Sequence, residues 1–222
     1  MSVSAIIVAA GESERLKAGE KKPFLKLRRR SILETAVCNF EKNTSIKNII
    51  VVAHKDDLEK VKKLLRNFKK VRSIISGGKK RSHSVKKGIS SLASQEKIVL
   101  IHDAARPFVS SALIKRIIYE TRKHSAVIPA IEVTSTVKKI KGNFVEKTID
   151  RKNLFLAQTP QGFKVDVLKK AFDKKKKKSF NITDDAFLLE ILGKKIKVIT
   201  GEASNIKITT KDDLKLARRL IK

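Results

Sequence analysis

The 222-residue sequence has no tryptophan, one tyrosine and one cysteine. A lone thiol, Cys38, excludes an internal disulfide framework and a thiolate metal site. It falls on the apolar side of an expected helix and reads as core filler. No apolar run approaches the ~18 residues of a membrane span. The first apolar run is short and lacks a basic flank, so a cytoplasmic protein is expected rather than a secreted or membrane one. Acidic residues are scarce: 22 Asp and Glu stand against 52 Lys and Arg, a formal charge of +30. Such a charge can serve nucleic acid. The cations are spread along the chain, however, with one true block at 174–178, and aromatics do not alternate with basic stretches as a single-strand stacking platform needs. Attraction of small polyanions needs no platform. There is no metal-ligand spacing of His or Cys and no Ser/His/Asp triad, and the pairs Asp56-Asp57, Asp184-Asp185 and Asp212-Asp213 read as helix starts.

The stretch 4–27 organises what is present. Ala5-Ile6-Ile7-Val8-Ala9 is a short β-branched run, the pattern of a buried parallel strand. Ala9-Ala10-Gly11 follows, then Arg15, Lys17, Lys21, Lys22 and Lys26. A strand ending in small residues lets a ligand approach backbone N–H groups, and the cations can neutralise charge in phosphoryl or nucleotidyl transfer. Ser13 stands where a second glycine would complete Gly-x-Gly, and no Gly-Lys-Ser/Thr follows, so neither the dinucleotide fingerprint nor the P-loop is present.

Strand and helix patterns then alternate. Helices are expected at 31–40, behind a Ser-x-x-Glu capping box, and at 56–67, 82–92 and 113–122. Strands are expected at 49–53, 72–75, 97–101 and 126–131. Two charged alternating segments around Lys141-Gly142-Asn143 predict a hairpin arm at about 134–150. With no local core, such an arm is expected to reach a second subunit. Helices at 164–172 and 184–192 (behind Thr183), strands at 196–200 and 206–209, and a helix at 211–220 behind Thr210 complete the chain. This is an α/β layered sheet with helices on both faces, expected as one domain over 1–222 with an arm.

In such sheets ligands collect beyond the carboxyl ends of the strands. Gly77-Gly78-Lys79-Lys80-Arg81-Ser82-His83-Ser84 follows a short strand and opens a helix, and Arg81 and Ser84 there suit an anion or a base. His102-Asp103-Ala104-Ala105-Arg106-Pro107 follows a buried strand. Asp103 can meet Mg²⁺ or a substrate hydroxyl, Arg106 can clamp a phosphate, and His102 reads as structural. Asp150-Arg151 and Thr159-Pro160-Gln161 form a further cluster. In Ser204-Asn205-Ile206-Lys207-Ile208-Thr209, a lysine between isoleucines breaks an apolar face unless that face lines a site. The chemistry indicated is that of cations on phosphates, with a substrate phosphate as its own nucleophile.

These stretches, AAGESERL, KKPFL, GGKKRSHSV, HDAARPF, IDRKNLFLAQTPQGF, ITDD and SNIKITTKDDL, run in order along nearly the whole chain. Together they resemble the 2-C-methyl-D-erythritol 4-phosphate cytidylyltransferases of the non-mevalonate isoprenoid pathway. The resemblance implies a Rossmann-like nucleotidyltransferase fold, a β-arm that builds a homodimer, Mg²⁺ as cofactor, and transfer of a cytidylyl group from CTP to the polyol phosphate with release of pyrophosphate. It implies that Arg15 and Lys22 stabilise the transition state and that Arg151 and Lys207 place the attacking phosphate. Ala9, Ala10, Gly11, Gly78 and Ser84 would hold the nucleotide. Asp103, Arg106, Thr136 and Thr159 would contact the substrate, with Thr136 and Arg106 serving the partner's site.

Three departures bear on this. Lys21-Lys22-Pro23-Phe24 replaces the usual Pro-Lys-Gln, which leaves Lys21 beside the aligned Lys22; Ser13 replaces a common glycine; and Ser135 stands where an Asp often precedes Thr136. Ala105 tilts the choice toward methylerythritol phosphate over ribitol 5-phosphate, the substrate of a similar family. A basic nucleic-acid-binding module is the alternative from another class.

Overall fold

The structure, a computed structural model, describes residues 2–11, 20–174 and 182–221. Arg15 and all but the first residue of the 174–178 block lie outside the described residues. The chain runs β1 (Ser2–Ala9), α1 (Ile32–Glu41), β2 (Asn48–Ala53), α2 (Leu58–Leu65), β3 (Val71–Ser76), α3 (Arg81–Ser90), β4 (Glu96–Asp103), α4 (Ser111–Lys123) and β5 (Ala126–Glu132). The hairpin β6 (Val137–Lys141) and β7 (Phe144–Ile149) follows, then β8 (Phe155–Ala157), β9 (Gln161–Lys164), α5 (Val165–Lys174), α6 (Phe187–Glu190), β10 (Lys197–Thr200) and α7 (Lys211–Leu220).

Eight strands form one sheet in the order β3-β2-β1-β4-β9-β5-β10, with β8 also paired to β5. β1 is parallel to both β2 and β4, so the strand order reverses across it. β1 is apolar on both faces because both are covered. Val3, Ala5, Ile7 and Ala9 pack with residues of α1, α2 and α4, whereas Ile6 packs with residues of α3, α5 and α6. The expected layered α/β sheet with helices on both faces is thus borne out. Ser31 caps α1 through the expected box with Glu34, and Thr210 caps α7 through a second box with Asp213.

Three expectations are corrected. The segment 206–209 is not a strand: it joins no ladder, and Ile208 N–H donates to the Ala105 carbonyl at 2.8 Å. Ile206 and Ile208 instead pack with Leu25, Leu27, Ile32 and Leu214 beneath α7, away from the sheet. The helix expected at 184–192 shortens to α6, and Thr183 does not cap it. Gln161 holds this stretch instead, through Asp184 Oδ2 at 2.6 Å and Ala186 N–H at 3.2 Å. β8 and β9 are additions to the expected pattern; they are three and four residues long and flank the cis Thr159–Pro160 bond.

The hairpin forms as expected, turning at Gly142 with φ +58°. It is less polar than its charge implied, because Ile140, Phe144 and Val145 are more than half exposed. Among the described residues no helix is long and apolar enough to cross a membrane.

Candidate active site

The site lies over the carboxyl ends of β1, β2, β3 and β4, where the strand order reverses. A cavity of about 850 Å³ opens there. Ala9, Ala10 and Gly11, at the end of β1, form one wall. The adjacent end of β4 contributes Asp103, tied to β1 by the register Val8↔Asp103 and by Ala104 N–H donating to the Val8 carbonyl at 3.0 Å.

Gly77 and Gly78 form the facing wall. A Cβ on Gly77 would lie 2.4 Å from Ala10 Cβ, so only glycine there lets the two loops approach, and one on Gly78 would lie 2.6 Å from His83 Cβ at the start of α3. Ser84 Oγ accepts from Gly78 N–H at 3.1 Å, and Lys87 Nζ donates to the Gly77 carbonyl at 2.9 Å. Ser84 therefore shapes the loop that a nucleotide would meet.

Charge on the wall is one-sided. Among the described residues, Lys22, Lys55, Lys79, Lys80, Arg81, Lys87 and Lys207 line the cavity against a single carboxylate, Asp103. Lys21 and Lys22 separate here. Lys21 turns away and places Nζ 2.9 and 2.8 Å from the two oxygens of Asp57, whereas Lys22 is on the wall. The 3-10 turn Lys22–Phe24, with Pro23 at its start, sets the two side chains on different sides.

Asp103 is held at every polar atom. Its N–H donates to Thr159 Oγ1 at 3.1 Å; Oδ1 accepts from Arg81 Nε at 2.8 Å; Oδ2 lies 2.7 Å from Lys207 Nζ. Burial opposes ionisation of Asp103, but Arg81 and Lys207 outweigh it and hold the carboxyl well below the usual carboxylate range. Arg81 also meets Asp185 Oδ2 at 2.8 Å. Burial raises the Asp185 carboxyl above that range, with Arg81 opposing.

Lys207 is aimed from a strap. Asn205, fully buried, donates to the Thr159 carbonyl at 2.8 Å, and Arg106 Nη1 donates to the Asn205 carbonyl at 2.7 Å. Ile206 and Ile208 anchor one side of the strap, which leaves Lys207 on the other, toward Asp103.

The structure thus brings Ala9, Ala10, Gly11, Lys22, Gly78, Ser84, Asp103 and Lys207 to one cavity. Arg106 and Thr159 stand behind it. The Arg106 guanidinium donates to the carbonyls of Asn205 and Ala157, and the buried Thr159 hydroxyl accepts from Asp103 N–H and faces His102 Nδ1 at 3.1 Å. His102 is structural, as read: Nε2 donates to the Arg106 carbonyl at 2.9 Å and the ring is wholly buried against Phe40. Thr136 and Arg151 are exposed at the base of the arm and are not on this cavity's wall. Arg151 Nη1 bonds the Thr134 carbonyl.

Sequence reasoning missed Lys55, which the strand-end rule applied to β2 would have found; it marked Asp185 only within Thr183-Asp184-Asp185, with no local signal for its pairing to Arg81.

Residues 3–222 match the model of the family IspD, 2-C-methyl-D-erythritol 4-phosphate cytidylyltransferase. The chain belongs to this family. A relative of that name from Geobacillus kaustophilus is 39% identical over 223 residues, covering 100% of this chain and 97% of its own. A solved 4-diphosphocytidyl-2C-methyl-D-erythritol synthase from Anaerococcus prevotii is 35% identical with a TM-score of 0.87, over 98% of this chain and 95% of that one. The structure of 2-C-methyl-D-erythritol 4-phosphate cytidylyltransferase from Thermus thermophilus is 30% identical with a TM-score of 0.83, over 99% and 98%. The chain is accordingly a nucleotidyltransferase, as its motifs implied.

Proposed function

We propose that the cavity over β1 and β4 is where this cytidylyltransferase joins CTP to 2-C-methyl-D-erythritol 4-phosphate, a step of isoprenoid precursor biosynthesis. The observation that carries the assignment is the wall itself: among the described residues, seven cations and one carboxylate around small-residue loops at a reversal of strand order. A phosphate oxygen of the polyol attacks the α-phosphorus of CTP. A new P–O bond forms, the bond from the α-phosphorus to the bridging oxygen breaks, and pyrophosphate leaves with the electron pair. The attacking phosphate is already ionised, so no protein base is needed.

The residues then divide by what they face. Ala9, Ala10, Gly11 and Gly78 let the nucleotide approach the backbone, and Ser84 holds the Gly78 loop to receive it. Lys22, with Arg15 by resemblance, offsets charge that grows at the α-phosphorus. Lys207 places the attacking phosphate beside Asp103. Arg106 and Thr159 act one layer back, by holding the Lys207 strap and Asp103.

The described residues do not build a Mg²⁺ site of their own, so Mg²⁺ would arrive on the triphosphate. Among the described residues there is no cluster of three potential ligands, and Asp103, the single wall carboxylate, already has both oxygens on cations. When bound, Mg²⁺ would neutralise charge on the phosphates. We place the protein in the cytoplasm as a single domain with an arm. We further propose that Thr136 and Arg151 complete the cavity of a second copy, because they lie off their own cavity at the base of an arm whose Phe144 and Val145 are exposed, with exposed Leu154, Phe155 and Leu156 following Arg151. An apolar face of that kind is covered by self-association.

The test is pyrophosphate release from CTP with methylerythritol phosphate, compared with ribitol 5-phosphate, before and after excess chelator. Release with the methylerythritol substrate that chelator abolishes is expected. Preference for ribitol phosphate would overturn the substrate, and full activity in chelator would overturn the metal.

A further inference from the structure

Asp185 is a buried acidic side chain beside the cavity that the reaction above leaves unused. It is wholly buried, and neither of its oxygens has a hydrogen-bond partner among the described residues. Its Oδ2 lies 2.8 Å from Arg81 Nη2, an ion pair off the hydrogen-bond line. A buried carboxylate so poorly satisfied costs stability, and exchanging buried ion pairs for neutral groups is often harmless or stabilising. Stability is therefore a poor reason for its presence.

What Asp185 does is fix Arg81. With Nη2 on Asp185 and Nε on Asp103 at 2.8 Å, the guanidinium is pinned at two points and cannot swing into the cavity. Asp103 ends β4, and Asp185 lies in the bend before α6. Gln161 of β9 holds Asp184 and Ala186 on either side of Asp185, and Gln161 is in register with Ile101 of β4, two residues before Asp103. The line Asp185–Arg81–Asp103–Lys207 therefore alternates in charge from the interior to the cavity, ending in the 2.7 Å Asp103–Lys207 contact.

We propose that Asp185 and Arg81 are positioning residues for the acceptor half of the reaction. They hold Asp103 in place while Lys207 exchanges from Asp103 to the phosphate of the polyol substrate. The inference rests on the role given to Lys207 above. When the substrate phosphate draws Lys207 away, Asp103 keeps Arg81 on Oδ1, and its freed Oδ2 faces the cavity to accept from a polyol hydroxyl. Without Asp185, Arg81 is released to follow the phosphate, and Asp103 loses its fixed partner.

The test compares the full chain with Asp185→Asn, Lys207→Ala and the double variant. Readouts are kcat/KM for the polyol phosphate, CTP affinity by calorimetry, and the urea midpoint. Asp185→Asn is expected to lower kcat/KM about tenfold, with CTP affinity within about twofold and the urea midpoint unchanged or raised. The double variant is expected to fall by less than the product of the single effects, because both act on Asp103. Unchanged kcat/KM in Asp185→Asn, an equal loss of CTP affinity, or a product-like fall in the double variant overturns the inference. Lys207→Ala with unchanged kcat/KM overturns instead the role given to Lys207, and the exchange with it. Should Asp185→Asn fail to fold, Arg81→Lys decides. It keeps the charge but reaches one carboxylate, so the same tenfold loss is expected and unchanged kcat/KM refutes the positioning role.

Discussion

Lys21 and Lys22 are adjacent in sequence and separated in space by what surrounds them. Lys21 is committed to Asp57 outside the cavity, and Lys22 is on its wall. Lys22→Ala should lower turnover by ~10²–10³ with CTP affinity little changed, as for a donor used mainly in the transition state. Lys21→Ala removes a half-exposed pair worth about 1 kcal/mol or less and should leave turnover near the parent value. The reverse pattern in steady-state kinetics would move the assignment to Lys21. His102 gives a pH dependence. Burial, opposed by its hydrogen bond to the Arg106 carbonyl, lowers it to about 4. An unfolded histidine titrates near ~6.5, so unfolding takes up a proton between these values. Stability from this group is present above about 6.5 and falls as pH drops toward 4, by on the order of 3 kcal/mol. Urea midpoints that stay level between pH 6.5 and 4 would show that His102 is not held neutral.

At the scale of elements, short irregular pieces do the aiming. The 201–208 strap is not a strand, yet Gln158 takes Glu202 N–H at 3.1 Å and Asn205 donates to the Thr159 carbonyl, so Lys207 is aimed at Asp103 without a ladder. The hairpin β6–β7 is the opposite case, a regular element that leaves Ile140, Phe144 and Val145 in water. If it lends Arg151 to a second copy, mixing Arg151→Ala with Lys207→Ala chains should restore activity neither has alone. Random exchange gives about a quarter of parent activity, since half the dimers are mixed and each carries one complete site. No recovery after verified exchange would place Arg151 in its own chain's chemistry.

For the whole molecule the governing fact is the charge of +30. Seven of the cations among the described residues line one cavity, placed to attract small polyanions whatever the remainder do. Field-driven capture is screened by salt, with a Debye length near ~10 Å at 0.1 M and ~3 Å at 1 M. Raising ionic strength across this range should lower kcat/KM several-fold while kcat changes little, because steering affects encounter and not the bound complex. An equal fall in kcat would place the salt effect in the chemical step.

Much of the architecture is written locally. The apolar run of β1 and the capping boxes at Ser31 and Thr210 each follow from neighbours within a few residues. So does the set of candidates, because strand ends in an open α/β sheet point to where ligands bind. Distant contacts decided the rest. Lys21 parts from Lys22 only because Asp57 is brought near, 36 residues on. Arg106 serves carbonyls rather than the cavity because the strap passes over it, and the bond to Asn205 spans 99 residues. Asp185 resembles any acidic residue before a helix until Gln161 draws it under Arg81. Hydrogen bonds and ion pairs have their strength within about 3 Å, and proximity across the sequence is set by packing, not by pattern.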